Sequence, residues 1–382
     1  MRRGICAALF TTLLLAGLSA ALTGCWDLEE ISEQGMVLGA AVDADRQPRS
    51  FRLTLEIPRV SEFAAAGGGG GGGGGRAPEK PAWVVSGQGT ALYDIVRQLQ
   101  TRVNRRFFLG HVRVLVIGEE LARRGLLPVM DFFERNPQLA YRTPVLIAAG
   151  KAEDALKVRP RLEKLASTYL RTLSDKSRVA GRAPQVMLGE ILGPLHERKD
   201  FLLPRLVSSE KEAQLSGAAV IRGGSLAGWL SPGQTRGALF VEGKMAGELE
   251  AAIGPAGQTA VYDVSTVHSK LSSTWVGGTP LIRISIRSEG TLTESTATAA
   301  LRTPGSILRL EQALARQINR EVRQAVEQLQ ALGADALGFG DLLHRQHPAQ
   351  WKKTQTRWHE LFRSTSVEVS SVVRIRRIGA SF

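Results

Sequence analysis

The sequence has little cysteine: 2 in 382 residues, Cys6 and Cys25. A disulfide framework or a thiolate zinc site needs more thiols than that. Aromatic residues are also scarce, at 6%. One apolar run lies near the N-terminus, and no second long one follows, so nothing later in the chain reads as a membrane-spanning helix. The common catalytic signatures are missing too. There is no His-Glu-x-x-His and no Gly-x-Ser-x-Gly. The nearest approach to a phosphate loop is Gly237 with Gly243-Lys244, but its spacing is wrong and Met245 stands where Ser or Thr is needed.

What is present begins with a leader. Met1-Arg2-Arg3 is a positive start, Ile5 to Leu22 is apolar, and Leu22-Thr23-Gly24-Cys25 has the form of a bacterial lipobox. Small residues at Thr23 and Gly24 suit the tight subsites of a signal peptidase, and the Cys25 thiolate is the group that takes a thioether-linked diacylglycerol. Residues 1–24 are therefore expected to be a lipoprotein signal peptide and Cys25 its lipidation site. A plain transmembrane anchor and ordinary secretion are the alternatives. Two acyl chains bury many methylenes at about 0.8 kcal/mol each, enough for stable anchoring. Cys6 then leaves with the leader and Cys25 is consumed by the lipid. About 350 mature residues remain, long enough for two or three domains held by their cores alone.

The composition, 43% hydrophobic and 22% charged, is that of a globular protein. The formal charge is +13, and loss of Arg2 and Arg3 leaves 47 basic against 36 acidic residues. That excess fits a protein lying against anionic headgroups or wall polymers. It fits equally the codon bias of a GC-rich genome. Nucleic-acid binding is disfavoured by the export signal and by the lack of a recognised motif.

Periodicity predicts an α+β, multidomain chain. Val37 to Val42 and the alternating Phe51, Leu53, Leu55 and Ile57 read as a hairpin. Residues 66–81, with nine consecutive glycines, read as a disordered loop within one domain. Residues 82–103 give a strand, a tight turn at Gly87-Gln88-Gly89 with Thr90 as N-cap, and a helix on Leu92, Ile95, Val96, Leu99 and Val103. Further strand and helix alternation to about residue 150 marks a mixed α/β module. From residue 215 short strands split by Gly-rich turns, then two alternating strands, lead to a long amphipathic helix. Its stripe is Leu310, Leu314, Ile318, Val322, Ala325 and Leu329. A helical segment and a final strand close an antiparallel sheet packed with that helix. The expected domains are 25–205 and 206–382.

Candidate chemistry is thin. His344, His347 and His359-Glu360 are the best metal candidates, but Pro348 interrupts them and surface or partner-contact roles suit them better. Asp131 and Glu134 stand at ordinary helix spacing, which makes them solvated helix residues rather than an acid–base pair. Trp351 and Trp358, seven apart, read as core rather than a ligand cage. No cofactor or metal is expected.

Several blocks in order nevertheless resemble one family, the Ger(x)C lipoproteins, the C subunits of bacterial spore germinant receptors. The blocks are GCWDLEEI at residues 24–31, VLGAAVD at 37–43, SGQGTALYDIVRQLQ at 86–100 and RRFFLGHVRVLVIGEELARRGL at 105–126. They continue with LSGAAVIRGGSLAGWLSPGQTRGALFVEGK at 215–244, an Asp-x-x-Gly-Phe-Gly…Pro…Trp…Trp block from Asp335 to Trp358, and VRIRRIG at 373–379. The resemblance implies a non-enzymatic, membrane-held subunit on the outer face of the spore inner membrane. Its implied partners are a polytopic A subunit and a transporter-like B subunit, in a complex that senses nutrients and triggers germination. Cys25 is the functional residue it carries over. Two other functions remain open: a solute-binding lipoprotein, favoured by a two-lobed cleft, and a wall-acting enzyme, favoured by a carboxylate pair in a groove.

Overall fold

The computed structural model describes residues 34–59, 81–252, 259–296 and 304–379, together with Thr12. Cys25 and almost all of the glycine-rich 66–81 segment lie outside the described residues.

An eight-stranded sheet organises the first half. Strand β1 (Gln34–Met36) stands apart from it, paired in parallel with β5 (Arg106–Phe108). The large sheet starts with the expected hairpin, β2 (Gly39–Ala44) against β3 (Phe51–Pro58), and β4 (Ala82–Gly89) extends it antiparallel. On the other side of β2, strands β6 (Val114–Gly118), β7 (Val145–Ala148) and β8 (Phe201–Ser208) add in parallel. The antiparallel β9 (Ala213–Arg222) and β10 (Ser225–Leu230) finish it. Parallel neighbours need crossover connections, and helices supply them on both faces. That is why every residue of β6 and β7 is buried.

One face carries α1 (Leu92–Gln100), α2 (Glu119–Arg124), α3 (Leu127–Arg135) and α6 (Leu188–His196) over Leu115, Ile117, Val145 and Ile147. The other carries α4 (Ala152–Ala155) and α5 (Ala166–Ala180) over Val114, Val116 and Leu146.

The second sheet has the order β11 (Gly247–Ala252), β12 (Thr259–Val276), β13 (Thr279–Ser295), β14 (Ser366–Ile378). It is antiparallel through β13, as the alternation predicts. β14 joins in parallel, because the chain returns to it through a helical crossover. That crossover contains α8 (Pro304–Leu332), α9 (Phe339–Gln346), α10 (Pro348–Thr354) and α11 (Trp358–Ser364). All six predicted stripe residues of α8 are buried against this sheet.

Two expectations change in detail. The stretch 231–241, read as strand and turn, contains helix α7 (Pro232–Val241). Ser231 caps it: its hydroxyl accepts the Gln234 N–H, and the Gln234 side chain returns to the Ser231 N–H at 2.8 Å. The expected division between residues 205 and 206 falls inside β8. The first sheet continues through β10, and its last strands serve two cores by simple alternation. Leu203, Ala219 and Ile221 face the first core, while Leu202, Ala218 and Val220 face the core of the second module.

Candidate functional site

The residues that sequence reasoning weighed for chemistry are dispersed. His344 stacks on Trp351 with ring centroids 6.1 Å apart. His347 Nε2 donates to the Ser273 carbonyl at 3.0 Å, and His359 Nδ1 donates to that of Gly333 at 3.2 Å. Glu360 pairs with Arg357. Among the described residues no group of three His, Cys, Asp or Glu side chains is placed to hold a metal ion. Asp131 pairs with Arg135 at 2.8 Å, and Glu134 meets His196 at 2.8 Å on α6. Gly87 and Gly89 lie inside β4 rather than in a turn. A Cβ on Gly87 would come within 2.8 Å of Ile95, so glycine there lets α1 sit close on the sheet. The N-cap of that helix is Ala91, not Thr90.

What the fold does build is a set of buried carboxylates that hold distant backbone. Asp43, at the end of β2, accepts the N–H groups of Ala152 at 2.7 Å and Glu153 at 2.8 Å and so caps α4. Glu56, on β3, does the same for α5 through Ala166 and Ser167, both at 2.9 Å. Helix N-termini carry unsatisfied N–H groups and partial positive charge, which a carboxylate satisfies. Burial raises both carboxyls above their ordinary range, and the N–H bonds pull them part of the way back.

Asp335 gathers three donors from two helices. Its carboxylate accepts the Phe339 N–H at 2.9 Å, the Gly340 N–H at 2.6 Å and the Trp358 indole N–H at 2.9 Å. Burial pushes its carboxyl up to about 6, against the lowering effect of these bonds. Trp358 and Trp351 then meet edge to face, 5.6 Å between centroids. A Cβ on Gly340 would lie 2.8 Å from the Trp358 ring nitrogen and 2.9 Å from Trp351, so only glycine fits beneath the two indoles. The Asp335 N–H is itself held by Asp200 at 2.8 Å, just ahead of β8, and Asp200 also accepts the Gly223 N–H at 3.0 Å. His359 stands 3.7 Å from the same carboxylate. Asp200, in the first module, thus fastens the β9–β10 turn to the second module.

Two of the open clefts bear on function. One, of about 850 Å³, lies at the carboxyl ends of β2, β6 and β7. Its charges are largely matched: Arg123 with Glu119 at 2.8 Å, Arg124 with Glu120, Lys151 with Glu153 at 3.8 Å and Arg52 with Asp45 at 3.9 Å. The other, of about 750 Å³, lies between the modules, with Met187 and Phe201 on one side and Leu239, Met245 and Val267 on the other. Each acid singled out above is engaged in capping or in an ion pair, an arrangement that suits holding structure together better than proton transfer.

The architecture agrees with known proteins. The family model described as the spore germination protein N-terminal domain matches residues 27–208. The one described as spore germination B3/GerAC like, C-terminal, matches residues 216–379. The chain belongs to the Ger(x)C family. Members similar to it include the Bacillus subtilis (strain 168) spore germination protein YndF, 28% identical over 378 residues and covering 94% of both chains. Spore germination protein KC from the same organism is 26% identical, covering 94% of this chain and 93% of its own. The crystal structure of the GerBC protein matches with a TM-score of 0.59 at 19% identity, over 92% of this chain and all of that one, and so shares the fold. The Asp-x-x-Gly-Phe-Gly…Trp…Trp block of this Ger(x)C chain is the Asp335 network just described.

Proposed function

We propose that this chain is the C subunit of a nutrient germinant receptor, held by a lipid on Cys25 at the outer face of the spore inner membrane. There it works without catalysis beside a polytopic A subunit and a transporter-like B subunit, and it is needed for the germination response. The carrying observation is the match of both Ger(x)C domains, in order, over residues 27–208 and 216–379. The relatives named as spore germination proteins support the same reading. No described helix is long and apolar enough to cross a membrane; retention through Cys25 is supported by the lipobox form of Leu22-Thr23-Gly24-Cys25 behind an apolar run. The solute-binding alternative needs two lobes that close about a hinge. Strands shared between two cores oppose such closure, because moving one module would tear apolar contacts from the other.

The test is a tagged pull-down from detergent-solubilised spore membranes, with co-purifying proteins identified by mass spectrometry. Recovery of a polytopic subunit and a transporter-like subunit is expected. Recovery of a transport ATPase complex instead would move the chain to the solute-binding class. Cys25→Ala is expected to release the protein from the membrane fraction and to weaken germination.

A further inference from the structure

Helix α8 carries a ribbon of arginines on the side turned away from its core. Arg309, Arg316, Arg320 and Arg323 are all exposed. At about 100° per residue they fall within about 60° of the helix circumference, along about 21 Å of its axis. The buried stripe from Leu310 to Leu329 lies opposite. Among the described residues none of these guanidinium groups has an ion-pair or hydrogen-bond partner.

The acids of the helix do not neutralise them. Glu311 is buried, accepts the Ile375 N–H at 2.9 Å and pairs with Arg374, while Glu321 is buried against Arg236. Gln312 is the remaining exposed side chain between Arg309 and Arg323, and Glu327, a turn past Arg323, is the first exposed acid on that side. Other helices treat arginine differently. Arg123 and Arg135 each pair with a carboxylate one turn back, Glu119 and Asp131, both at 2.8 Å, and Arg171 pairs with Asp175 one turn ahead at 3.0 Å. On α8, Arg316 and Arg320 stand one turn apart instead, where like charges repel. The folded chain carries that cost without an internal counter-charge.

The exposed arc from Arg309 to Arg323 offers arginine and glutamine alone. It lacks the apolar and aromatic side chains that the desolvated centre of a protein interface requires. The apolar face of α8 is spent in its own core, so the helix cannot sink into hydrocarbon as an interfacial helix does. What the ribbon fits is a flat array of phosphates, which planar guanidinium groups bind through paired hydrogen bonds. We infer that the α8 ribbon rests on the headgroup phosphates of an anionic lipid bilayer.

The contact deepens the anchored-subunit reading and rests on it for bringing the chain to a membrane. Each basic residue at an anionic surface is worth about fivefold in binding, so the ribbon supplies on the order of 10³ M⁻¹. That is below the roughly 10⁴ M⁻¹ of one acyl chain, itself a marginal anchor. The ribbon therefore orients the chain and does not hold it. It turns the α8 side of the second module to the bilayer and the open face of the second sheet away from it.

Vesicle sedimentation tests this with the lipid-free mature chain, residues 25–382 carrying Cys25→Ala. Binding is expected to vesicles of phosphatidylglycerol and phosphatidylcholine in equal parts at low salt. It is expected to be absent on phosphatidylcholine alone and to weaken as salt rises. Arg316→Ala with Arg320→Ala should weaken it about 25-fold. Arg97→Ala with Arg142→Ala removes the same charge from exposed positions of the first module, and should weaken it by no more than about twofold. A ribbon pair that binds like the parent chain, or a control pair that loses as much, would overturn the contact. A ribbon pair that keeps vesicle binding but no longer recovers a polytopic subunit in the pull-down would give the ribbon to an acidic protein, and would overturn it as well. The anchor is scored separately, by membrane retention of the wild-type chain in cells against Cys25→Ala. Vesicle binding without Cys25-dependent retention would sink the anchor and leave the ribbon standing, and Cys25-dependent retention without vesicle binding would do the reverse.

Discussion

The two sheets differ in how many faces they cover. The first is clothed by helices on both sides, and its middle strands β6 and β7 have no exposed position. The second is packed on one side against α8. Along β13, buried Ile282, Ile284 and Ile286 alternate with exposed Arg283, Ser285 and Arg287. A sheet buried on both faces reads in sequence as a continuous apolar run, and one buried on a single face reads as alternation. The open face is mostly polar, with Val372 beside Arg287 an exception, and carries cross-strand pairs such as Arg283 with Glu368 at 2.7 Å and Arg376 with Glu289 at 2.7 Å. The first sheet therefore has little room for neutral change in its middle, while the second has a whole face that can diverge or meet a partner.

The largest effect expected concerns the buried carboxylates, which the two modules use unequally. Asp335→Ala leaves three donors without an acceptor and is expected to cost about 3–5 kcal/mol in chemical denaturation. Asp43→Ala orphans two, and should cost less. Equal losses would mean that the Asp335 network is no more central than a helix cap. Next, Leu146→Ala in β7 and Ile284→Ala in β13 should each cost about 3 kcal/mol, since both side chains are fully enclosed. Similar values for the two would show that the inner face of the one-sided sheet is as tightly packed as the two-sided one.

Acidity sharpens the comparison further. Burial raises the Asp335 carboxyl from its ordinary 3.8 to about 6. The folded chain therefore binds that proton more tightly than the unfolded chain does, so this contribution is fully present below about pH 4 and is lost as pH rises through about 6. Relative to Asp335→Asn, the wild-type chain should lose about 3 kcal/mol across that window. A difference that stays constant with pH would show that Asp335 is not the group responsible. The smallest effect is reserved for the open face: Arg287→Ala should change stability by no more than about 0.5 kcal/mol. A larger loss would mean that this face is not solvent-facing in the folded chain.

Much of this contrast was legible in the residues. The period of two gave β3, β12 and β13, and the 3.6 period gave the buried stripe of α8, because each follows from a single face meeting a core. Helix α7 was harder. Gly233 and Gly237 lower helix propensity and suggested turns, although Ser231-Pro232-Gly233-Gln234 held a capping box that could have revealed it. The continuation of the first sheet past residue 206 was invisible locally, since the alternation of β9 is the same whichever core each face meets. The roles of Asp43, Glu56 and Asp335 were invisible for a related reason. Asp43 and Glu56 cap helices more than a hundred residues away, and nothing beside either acid in the chain marks its partner. The three histidines looked like a cluster only in one dimension, for the break at Pro348 turns each to a different neighbour.

The strands that serve both cores also constrain heredity. Residues 213–230 hydrogen-bond into the first sheet, yet nearly all of them fall within the C-terminal family match. A chimaera that joins the front of one Ger(x)C protein to the back of another at residue 210 would graft a foreign β9 onto a native β8 and give each core borrowed strand faces. Joining after residue 230 keeps the hairpin with its parent sheet, yet sets its outward residues against a foreign α7 and α8. Neither seam is clean, so exchange between such lineages is expected to preserve whole chains rather than shuffle halves.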